Sequence, residues 1–243
     1  MKKEVVITGA GRGLAHYILK RHLEAGDRVL GLVRRITDEM TALMDQYPDQ
    51  LYLTICDVTD EAQTEAVRSA FCEMIGDTEG RVDLIYNVAG ISPAEHRTVL
   101  ADTDLSMDTM GLMYNINAVG PLRICKALLP FLQNGSLVLN ISSEAGSIAG
   151  STRKAEYGYC MSKAALNMAT RLLCNDIADR GARALAIHPG WVRTEMGGPE
   201  AAASDASISP EESAAGICRI AETAHTLPMD VCYLDYAGNR LEW

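Results

Sequence analysis

Short apolar segments alternate with helical segments along the whole chain, and this alternation constrains the fold more than any other feature of the sequence. Glu4–Thr8, Arg28–Val33 and Leu51–Val58 are rich in Val, Leu and Ile without regular polar alternation, which is typical of strands buried on both faces of a parallel sheet. Arg12–Gly26, between the first two, has apolar residues at helical spacing and ends on a glycine. The pattern predicts an α/β fold, in which right-handed crossovers place helices on both faces of a doubly wound sheet.

The rest of the chain continues the same alternation. Further strands are predicted at Val82–Gly90, Gly135–Ser143, Ala182–Gly190 and near Val231–Leu234, and further helices at Asp38–Gln46, Glu61–Ile75, Asp108–Leu132 (with a bend at Pro121) and Tyr157–Arg180. The length of 243 residues suits one large core. We therefore expect a single Rossmann-type domain over residues 1–243, with a mainly parallel sheet and any ligand at the carboxyl ends of its strands.

Composition excludes several classes of function. A net charge of −10 argues against nucleic acid or an anionic membrane as the main partner. No stretch approaches the ~18 apolar residues of a membrane span. The seven cysteines include no CxxC pair, which favours reduced thiols in a cytoplasmic protein. The five histidines show no metal-ligand spacing, so no metal site is predicted.

A glycine-rich turn follows the first predicted strand. Thr8–Ala15, TGAGRGLA, fits T-G-x-x-x-G-x-[G/A] and not G-x-G-x-x-G. Its glycines permit a tight turn, and the helix that follows offers unpaired N–H groups to a phosphate. Such a turn can also be an ordinary loop, but its place directly after a buried N-terminal strand favours a dinucleotide site.

Tyr159 and Lys163 are four residues apart on a predicted helix, so they share one face. An ammonium group beside a phenol favours the phenolate, which predicts a lowered tyrosine pKa and a usable acid or base. The alternative is a packed tyrosine covered by a lysine stem. The neighbouring Tyr157 has Met161 at the same offset, and we expect it to pack or to line a pocket.

Taken together, these motifs resemble the short-chain dehydrogenase/reductase family over nearly the whole chain. The same order of motifs continues in CDVTD, NVAG, NINAVG, NISS and HPGWVRT. Two further segments, YCMSKAALNMAT and LDYAGNRLEW, resemble the carbonyl-reductase-like branch of small soluble members. The resemblance implies hydride transfer between a nicotinamide cofactor and a carbonyl or alcohol.

The resemblance also implies the site residues. Tyr159 would donate a proton to a carbonyl oxygen that Ser143 hydrogen-bonds. Lys163 would stabilise the phenolate and hold the nicotinamide ribose, and Asn117 would hold a water that links Lys163 to solvent. The candidate cofactor contacts are Thr8, Gly9, Arg12, Gly13, Leu14, Arg34, Asp57, Val58, Asn87, Ala89, Gly90, Tyr159, Lys163, Pro189, Val192 and Thr194.

Two departures from the family pattern concern the turn and the active-site loop. Ala15 stands where the last glycine of the turn is usual, and we expect binding to survive because a methyl group is the smallest intrusion. Ser143 and Tyr159 are 16 residues apart, a few more than usual, and Ser142 competes with Ser143. The extra segment STRKAE is expected to form a loop at the site, with Arg153 and Lys154 on its surface.

A third departure predicts NADP over NAD. No acidic residue ends the second strand, where NAD-dependent members usually place one for the ribose hydroxyls. Instead the chain has Arg34 and Arg35 there and Arg12 in the glycine turn, and arginine suits a 2′-phosphate. The alternative is that these arginines are solvated surface charges.

The sequence therefore predicts an NADP-dependent oxidoreductase of a small carbonyl or alcohol substrate. The alternative from another class is a non-catalytic NADP-binding redox sensor, whose mark would be the loss of the tyrosine, lysine or serine. The chain lacks the extra lobe of longer epimerases and dehydratases. Nor does NISSEAG form the G-x-S-x-G elbow of a hydrolase.

Substrate identity is left open. The pocket is expected from Ile91–Pro93, Glu144–Ile148 and a mobile lid near residues 191–210 that is rich in Gly, Ala and Ser. His188, before a Pro-Gly turn, is expected to be structural or to line this pocket. A homodimer is expected through the two long helices, with Ile124, Leu128, Leu129 and Met168 as candidate contacts. The same residues can bury against the sheet, and the resembling branch includes monomers.

Overall fold

A computed structural model describes residues 2–93, 97–103 and 105–243. Its centre is one seven-stranded sheet of order β3-β2-β1-β4-β5-β6-β7, in which each strand is parallel to its neighbours. The strands are β1 (Glu4–Thr8), β2 (Arg28–Val33), β3 (Leu51–Ile55), β4 (Leu84–Asn87), β5 (Leu137–Ile141), β6 (Arg183–His188) and β7 (Tyr233–Asp235). The predicted Rossmann-type α/β fold is confirmed.

Helices cover both faces of the sheet. They are α1 (Gly13–Glu24), α2 (Asp38–Gln46), α3 (Glu61–Ile75), α4 (Met107–Tyr114), α5 (Gly120–Leu128), α6 (Tyr157–Asp176), α7 (Gly198–Ala203) and α8 (Pro210–Thr223). Successive residues of β1 alternate between two cores: Val5 and Ile7 pack with α1 and α8, whereas Val6 packs with α3, α5 and α6. In the described part of the chain, no helix combines the length and the apolar character needed to cross a membrane.

The strand order places a crevice at the carboxyl ends of β1 and β4. β2 lies on one side of β1 and β4 on the other, so the crossovers run in opposite directions from this point. Ligands of open α/β sheets bind at such a switch point. Thr8 and Asn87, the last residues of β1 and β4, both lie at this crevice.

The region predicted as one helix over Asp108–Leu132 is divided. α4 passes into a π-helical turn at Asn115–Val119 before α5 begins, so the irregularity precedes Pro121 instead of lying at it. π-helical turns are frequent at functional sites. Asn117 lies within this one.

Two helices between residues 190 and 231 were not predicted. α8 begins where Ser209 accepts a hydrogen bond from the Glu212 N–H and Pro210 occupies the first turn, a start signal that the sequence does contain. α7 lies inside the segment predicted as a lid. The mobility of that segment stays a prediction.

For two of the candidate dimer contacts the alternative, burial against the sheet, is confirmed. Ile124 and Leu128 are fully buried against the sheet in the core of α3 and α5, because they lie on the inner stripe of α5. Leu129 is partly buried against the same core. By contrast, Met168 is 62% exposed and Leu172 on the same helix is also exposed.

Candidate active site

The glycine turn is held against the end of β4. The hydroxyl of Thr8 accepts hydrogen bonds of 2.9 Å from the backbone N–H groups of Val88 and Ala89. Gly9 has φ +70°, and a Cβ there would lie 3.3 Å from Ala89 Cα. Thr8 therefore supports the turn, and Gly9 is needed both for its backbone conformation and for this close approach.

The N-terminus of α1 is open. α1 follows Arg12 without a side-chain cap and has no acidic residue in its first turn. The helices α2, α3 and α8, in contrast, are capped by the side chains of Thr37, Asp60 and Ser209. The first N–H groups of a helix have no intrahelical partner, so those near Gly13 and Leu14 can bind an anion. The Leu14 side chain is buried, which leaves its backbone for such a contact.

The ends of β2 and β3 carry opposite charges. Arg34 is exposed. Asp57 Oδ1 accepts hydrogen bonds from the Thr59 N–H (2.9 Å) and hydroxyl (2.7 Å). These bonds lower the pKa of the Asp57 carboxyl, and the nearby charge of Arg34 lowers it further. Val58 packs beneath the first residue of α5, where a Cβ on Gly120 would lie 2.8 Å from Val58 Cγ2.

Arg12 forms an ion pair with Glu195, and both side chains are exposed. Thr194 lies nearby, since a Cβ on Gly13 would be 3.8 Å from Thr194 Cγ2. The segment after β6 therefore lies over the glycine turn. Val192 in the same segment pairs with Ile208 across an isolated bridge. The Pro189 carbonyl accepts a hydrogen bond of 2.6 Å from the Ser213 hydroxyl on α8.

Asn87 is a buried link between strands. Its Nδ2 donates to Asn140 Oδ1 at 2.8 Å, and the two residues are register partners on β4 and β5. Asn140 in turn donates to the Thr170 hydroxyl on α6 at 2.8 Å. These contacts hold α6 against the sheet, so Asn87 helps to position that helix.

Asn117 connects the π-helical turn to the rest of the site. Its Oδ1 accepts from the Ile91 N–H at 2.8 Å, and its Nδ2 donates to the Ile91 carbonyl at 2.9 Å and to the Ser162 hydroxyl at 3.0 Å. A Cβ on Gly90 would lie 3.1 Å from Asn117 Oδ1 and 3.8 Å from Lys163 Nζ. Asn117 and Lys163 thus converge on Gly90. The proton relay through Asn117 stays a prediction.

The two competing serines have different surroundings. Ser142 is buried, and its hydroxyl donates to Asn167 Oδ1 at 2.6 Å. The Ser143 side chain accepts a hydrogen bond from the Ala145 N–H at 3.2 Å and also contacts the Tyr159 hydroxyl. Ser143 is therefore the serine that lies beside the tyrosine.

Lys163 is a buried cation next to that tyrosine. Its side chain is 5% exposed, and Nζ donates to the Ile141 carbonyl at 2.7 Å. Nζ lies 5.7 Å from the centroid of the Tyr159 ring. Burial lowers the pKa of Lys163 to about 8. An ammonium has three donors, so two N–H groups besides the one on Ile141 are available near Gly90.

The expected lowering of the Tyr159 pKa is wrong for this structure. Burial raises the pKa of Tyr159 to about 12, and the hydrogen bond with Ser143 offsets only part of that rise. The physical reason is that desolvation of the phenolate dominates when the lysine is directed to a backbone carbonyl. Tyr157, in contrast, is exposed at the start of α6.

Arg153 is more than loop surface. It forms ion pairs with Glu144 (2.6 Å) and with Glu156, which joins the segment after Ser143 to the start of α6. Arg97 extends the connection, because its Nη2 donates to the Met196 carbonyl at 2.6 Å and its Nε lies 3.9 Å from Glu156. The long loop and the segment after β6 are thus linked through charged groups.

His188 and Tyr233 complete the surroundings of the serine. His188 Nδ1 accepts from the Glu144 N–H at 3.2 Å, and burial lowers the His188 pKa. Tyr233 on β7 donates its hydroxyl to the Ser143 carbonyl at 2.6 Å and stacks on Trp243 with ring centroids 5.0 Å apart. Tyr233 was not predicted as a site residue, because no local spacing points to a contact between residues 90 positions apart.

Comparisons with known proteins agree with this architecture. The short chain dehydrogenase family model matches residues 3–205. Among curated proteins, C-signal of Myxococcus xanthus is 38% identical over 68% of this chain and 94% of its own length. The 2-(R)-hydroxypropyl-CoM dehydrogenase of Xanthobacter autotrophicus is 32% identical over 81% of this chain and 77% of its own length.

Solved structures resemble the whole chain. The NADPH-bound carbonyl reductase from chicken fatty liver has a TM-score of 0.88 and 26% identity and covers 100% of this chain and 99% of its own. A carbonyl reductase from Pseudomonas aeruginosa in complex with NADP has a TM-score of 0.79 and 29% identity, with full coverage of both chains. Within the described residues, no group of three or more His, Cys, Asp or Glu side chains is arranged to hold a metal ion. The chain belongs to the short-chain dehydrogenase/reductase family of oxidoreductases and is a member of its carbonyl-reductase-like kind.

Proposed function

We propose that this protein is an NADPH-dependent reductase of a small carbonyl compound, with Tyr159 as the proton donor. The observation that carries the proposal is the convergence of Ser143, Tyr159 and a buried Lys163 at the carboxyl edge of the sheet, beside Gly90. A phenol, a hydroxyl and an ammonium in one enclosed place match the needs of a carbonyl oxygen that gains negative charge.

The residues present fit a dinucleotide. The uncapped start of α1 suits a pyrophosphate, and Gly9 keeps the turn close against Ala89. Asp57 and Val58 at the end of β3 would bound the adenine, and Val192 and Thr194 would hold the nicotinamide amide. When bound, the cofactor supplies the hydride.

Each active-site residue then has one task. The Tyr159 hydroxyl donates its proton to the substrate oxygen, and Ser143 donates a hydrogen bond to the same oxygen. Lys163, charged below its pKa of about 8, stabilises the phenolate that remains and has N–H groups free for the ribose hydroxyls. Asn117, which fixes the chain at Ile91, keeps Gly90 beside that ammonium.

The raised pKa of Tyr159 keeps the phenol in its protonated form. With a pKa of about 12, the phenol carries its proton throughout the neutral range, as a donor to a carbonyl oxygen must. Oxidation of an alcohol would instead need the phenolate.

Two observations support the preference for NADPH. No carboxylate ends β2, and Arg34 lies exposed there, close enough to Asp57 for its charge to act on that group. Both solved structures compared above contain the phosphorylated cofactor. The contact between Arg12 and Glu195 leaves Arg34 as the favoured arginine for a 2′-phosphate.

The direct test is a panel of ketones, aldehydes and quinones with NADPH, followed at the nicotinamide absorbance band. Oxidation of NADPH that depends on the carbonyl compound supports the reductase. Tight binding of NADPH without turnover on any member of the panel would favour the alternative of a non-catalytic redox sensor.

Cofactor choice is tested by a double variant. Val33 lies next to the glycine turn, where a Cβ on Gly11 would be 3.5 Å from Val33 Cγ1. Val33→Asp with Arg34→Ala should shift kcat/KM toward NADH by at least about tenfold, the effect of ~1.4 kcal/mol. A wild type that already prefers NADH would contradict the phosphate assignment, and an unshifted variant would move it to Arg12 or Arg35.

We propose that the protein is located in the cytoplasm, a reducing compartment, and that it forms a homodimer. All seven cysteines are free thiols, which supports a cytoplasmic location.

The exposed Met168 and Leu172 on α6 supply an apolar face for a second copy. Light scattering at micromolar concentration tests the dimer, and Met168→Glu should reduce it to one subunit. A wild type of single-subunit mass would overturn it.

A further inference from the structure

Two thiols meet far from the active-site end of α6. Cys174, near the carboxyl end of that helix, and Cys232, directly before β7, have their Sγ atoms 3.6 Å apart. The Cys232 S–H has two acceptors within range, Cys174 Sγ and the Met229 carbonyl at 3.7 Å. Both side chains are nearly buried, 4% and 2% exposed. They are separated by 58 residues in the sequence, so only the fold brings them together.

The surroundings of the two thiols are positively charged. Arg171 Nη1 lies 3.3 Å from Cys232 Sγ. Arg183 is buried, and its guanidinium donates to four backbone carbonyls between Ala224 and Val231. No carboxylate in the described part of the chain pairs with Arg183. A buried cation satisfied only by neutral carbonyls favours a nearby anion.

We propose that Cys174 and Cys232 form a redox-active dithiol that a small peroxide converts to an intramolecular disulfide. Cys174 is the attacking sulfur, because it accepts the hydrogen bond from Cys232 and lies within the field of the two arginines. That hydrogen bond, with the N–H of Ala184 and the charges of Arg183 and Arg171, lowers the pKa of Cys174 despite burial. The pKa of Cys232 is raised, so it remains the protonated partner.

The reaction balances with hydrogen peroxide as the oxidant. The Cys174 thiolate attacks one peroxide oxygen, the O–O bond breaks, and the departing hydroxide takes a proton, which leaves a sulfenic acid and one water. Cys232 sulfur then attacks the Cys174 sulfur, the S–O bond breaks, and the oxygen leaves as a second water. Two thiols lose two electrons, and the peroxide gains them.

Two residues that contact Cys232 are exposed. Arg171, whose guanidinium contacts Cys232, is exposed. Met229, whose carbonyl lies 3.7 Å from Cys232 Sγ, is also exposed. The neighbours of the buried pair therefore reach the surface. Of the other buried thiols, Cys125 has a pKa raised to about 12 by burial and Cys56 one raised to about 11, so they react more slowly.

The experiment treats the folded wild type with hydrogen peroxide and maps disulfides by mass spectrometry of unreduced peptides. The expected result is a cross-link between the peptides of Cys174 and Cys232, loss of two of the seven titratable thiols, and full recovery with dithiothreitol. Cys174→Ser and Cys232→Ser should each abolish the cross-link. The matched control Cys218→Ser removes a buried thiol on α8 and should leave the cross-link unchanged.

Two further measurements do not depend on the stability of the serine variants. Arg171→Gln lies on the exposed surface and should slow the loss of the two thiols by about 3–10-fold, because the charge of Arg171 also acts on Cys174. The rate of thiol loss in hydrogen peroxide, measured from pH 5 to pH 8, should rise with pH along the ionisation curve of one thiol. Oxidation of Cys174 to sulfinic acid without a cross-link, or a cross-link that involves another cysteine, would overturn the proposal.

Discussion

Two buried polar clusters lie at opposite edges of the same sheet, and they differ in how far their hydrogen-bonding groups are satisfied. At the amino-terminal edge, His22 lies between Asp27 Oδ2 (2.7 Å from Nδ1) and the Tyr86 hydroxyl (3.0 Å from Nε2). The second oxygen of Asp27 accepts the Lys3 N–H at 2.9 Å. At the carboxyl edge, Lys163 makes one hydrogen bond, to the Ile141 carbonyl, and faces Tyr159.

The difference separates a structural role from a catalytic one. Burial alone would raise the pKa of Asp27, but the hydrogen bonds from His22 and Lys3 outweigh it and lower that pKa. At Lys163 and Tyr159 burial prevails, and both groups shift toward their neutral forms. A buried cluster whose polar groups are all hydrogen-bonded stabilises the fold. A buried cluster with unpaired hydrogen-bond donors costs stability, but those donors can bind a substrate and cofactor.

The largest expected effect is on turnover at the carboxyl edge. Tyr159→Phe removes only the proton donor, so kcat should fall by about 100-fold or more while folding and NADPH binding persist. Tyr157→Phe is the matched control, because Tyr157 is exposed two residues away, and it should change kcat far less. Equal activity of the two variants in NADPH oxidation assays would show that Tyr159 is not the donor.

At the amino-terminal edge the effect should be on stability alone. Asp27→Asn replaces a buried carboxylate that accepts two hydrogen bonds, so the free energy of unfolding should fall by about 1.5–3 kcal/mol. Because the folded pKa of Asp27 is lowered, the stability it contributes is present at neutral pH and is lost as pH falls below its ordinary pKa of about 3.9.

Chemical denaturation and kcat of the folded enzyme, measured on the same Asp27→Asn sample, check this prediction. Stability should fall and kcat should stay within about twofold of wild type, the scatter expected for a substitution remote from the chemistry. A large loss of kcat with little loss of stability would erase the distinction between the two clusters.

Lys163→Met should raise stability at neutral pH, the opposite of the change expected for Asp27→Asn. A folded pKa of about 8 lies below the ordinary value of 10.5, so the charged lysine costs the fold about 3 kcal/mol at neutral pH. This cost disappears as pH rises from 8 to 10.5, and wild-type stability should rise relative to the variant over that range. The variant should be inactive yet more stable at pH 7. Parallel stability curves across pH 7–10.5 would contradict the buried charge.

The smallest effect is expected from Tyr233→Phe, which removes the hydroxyl that holds the Ser143 carbonyl. The loss of one neutral hydrogen bond, about 0.5–1.5 kcal/mol, should lower kcat about 2–10-fold and leave the KM for NADPH unchanged. Tyr47→Phe is a suitable control, because Tyr47 packs against the core of α1 and β2. A rise in the KM for NADPH instead of a fall in kcat would indicate a general loosening of the sheet.

Much of the fold and of the candidate site followed from local patterns. The bounds of β1, β2, α2 and α3 agree with the prediction to the residue, because apolar periodicity and helix caps act over a few residues. Tyr159 and Lys163 share a face because four residues make about one helical turn. The site residues followed from the motifs of the family, which lie at strand ends where a parallel sheet collects them.

The order of elements, the parallel sheet and the place of the glycine turn followed from the sequence, because each depends on residues that are close together in the chain. The tertiary structure alone decided that Ser142 is buried against Asn167 and that the pKa of Tyr159 is raised. It also brought Cys174 against Cys232. These properties arise from burial and from contacts between distant residues, and free energies of desolvation depend on what surrounds a group in space.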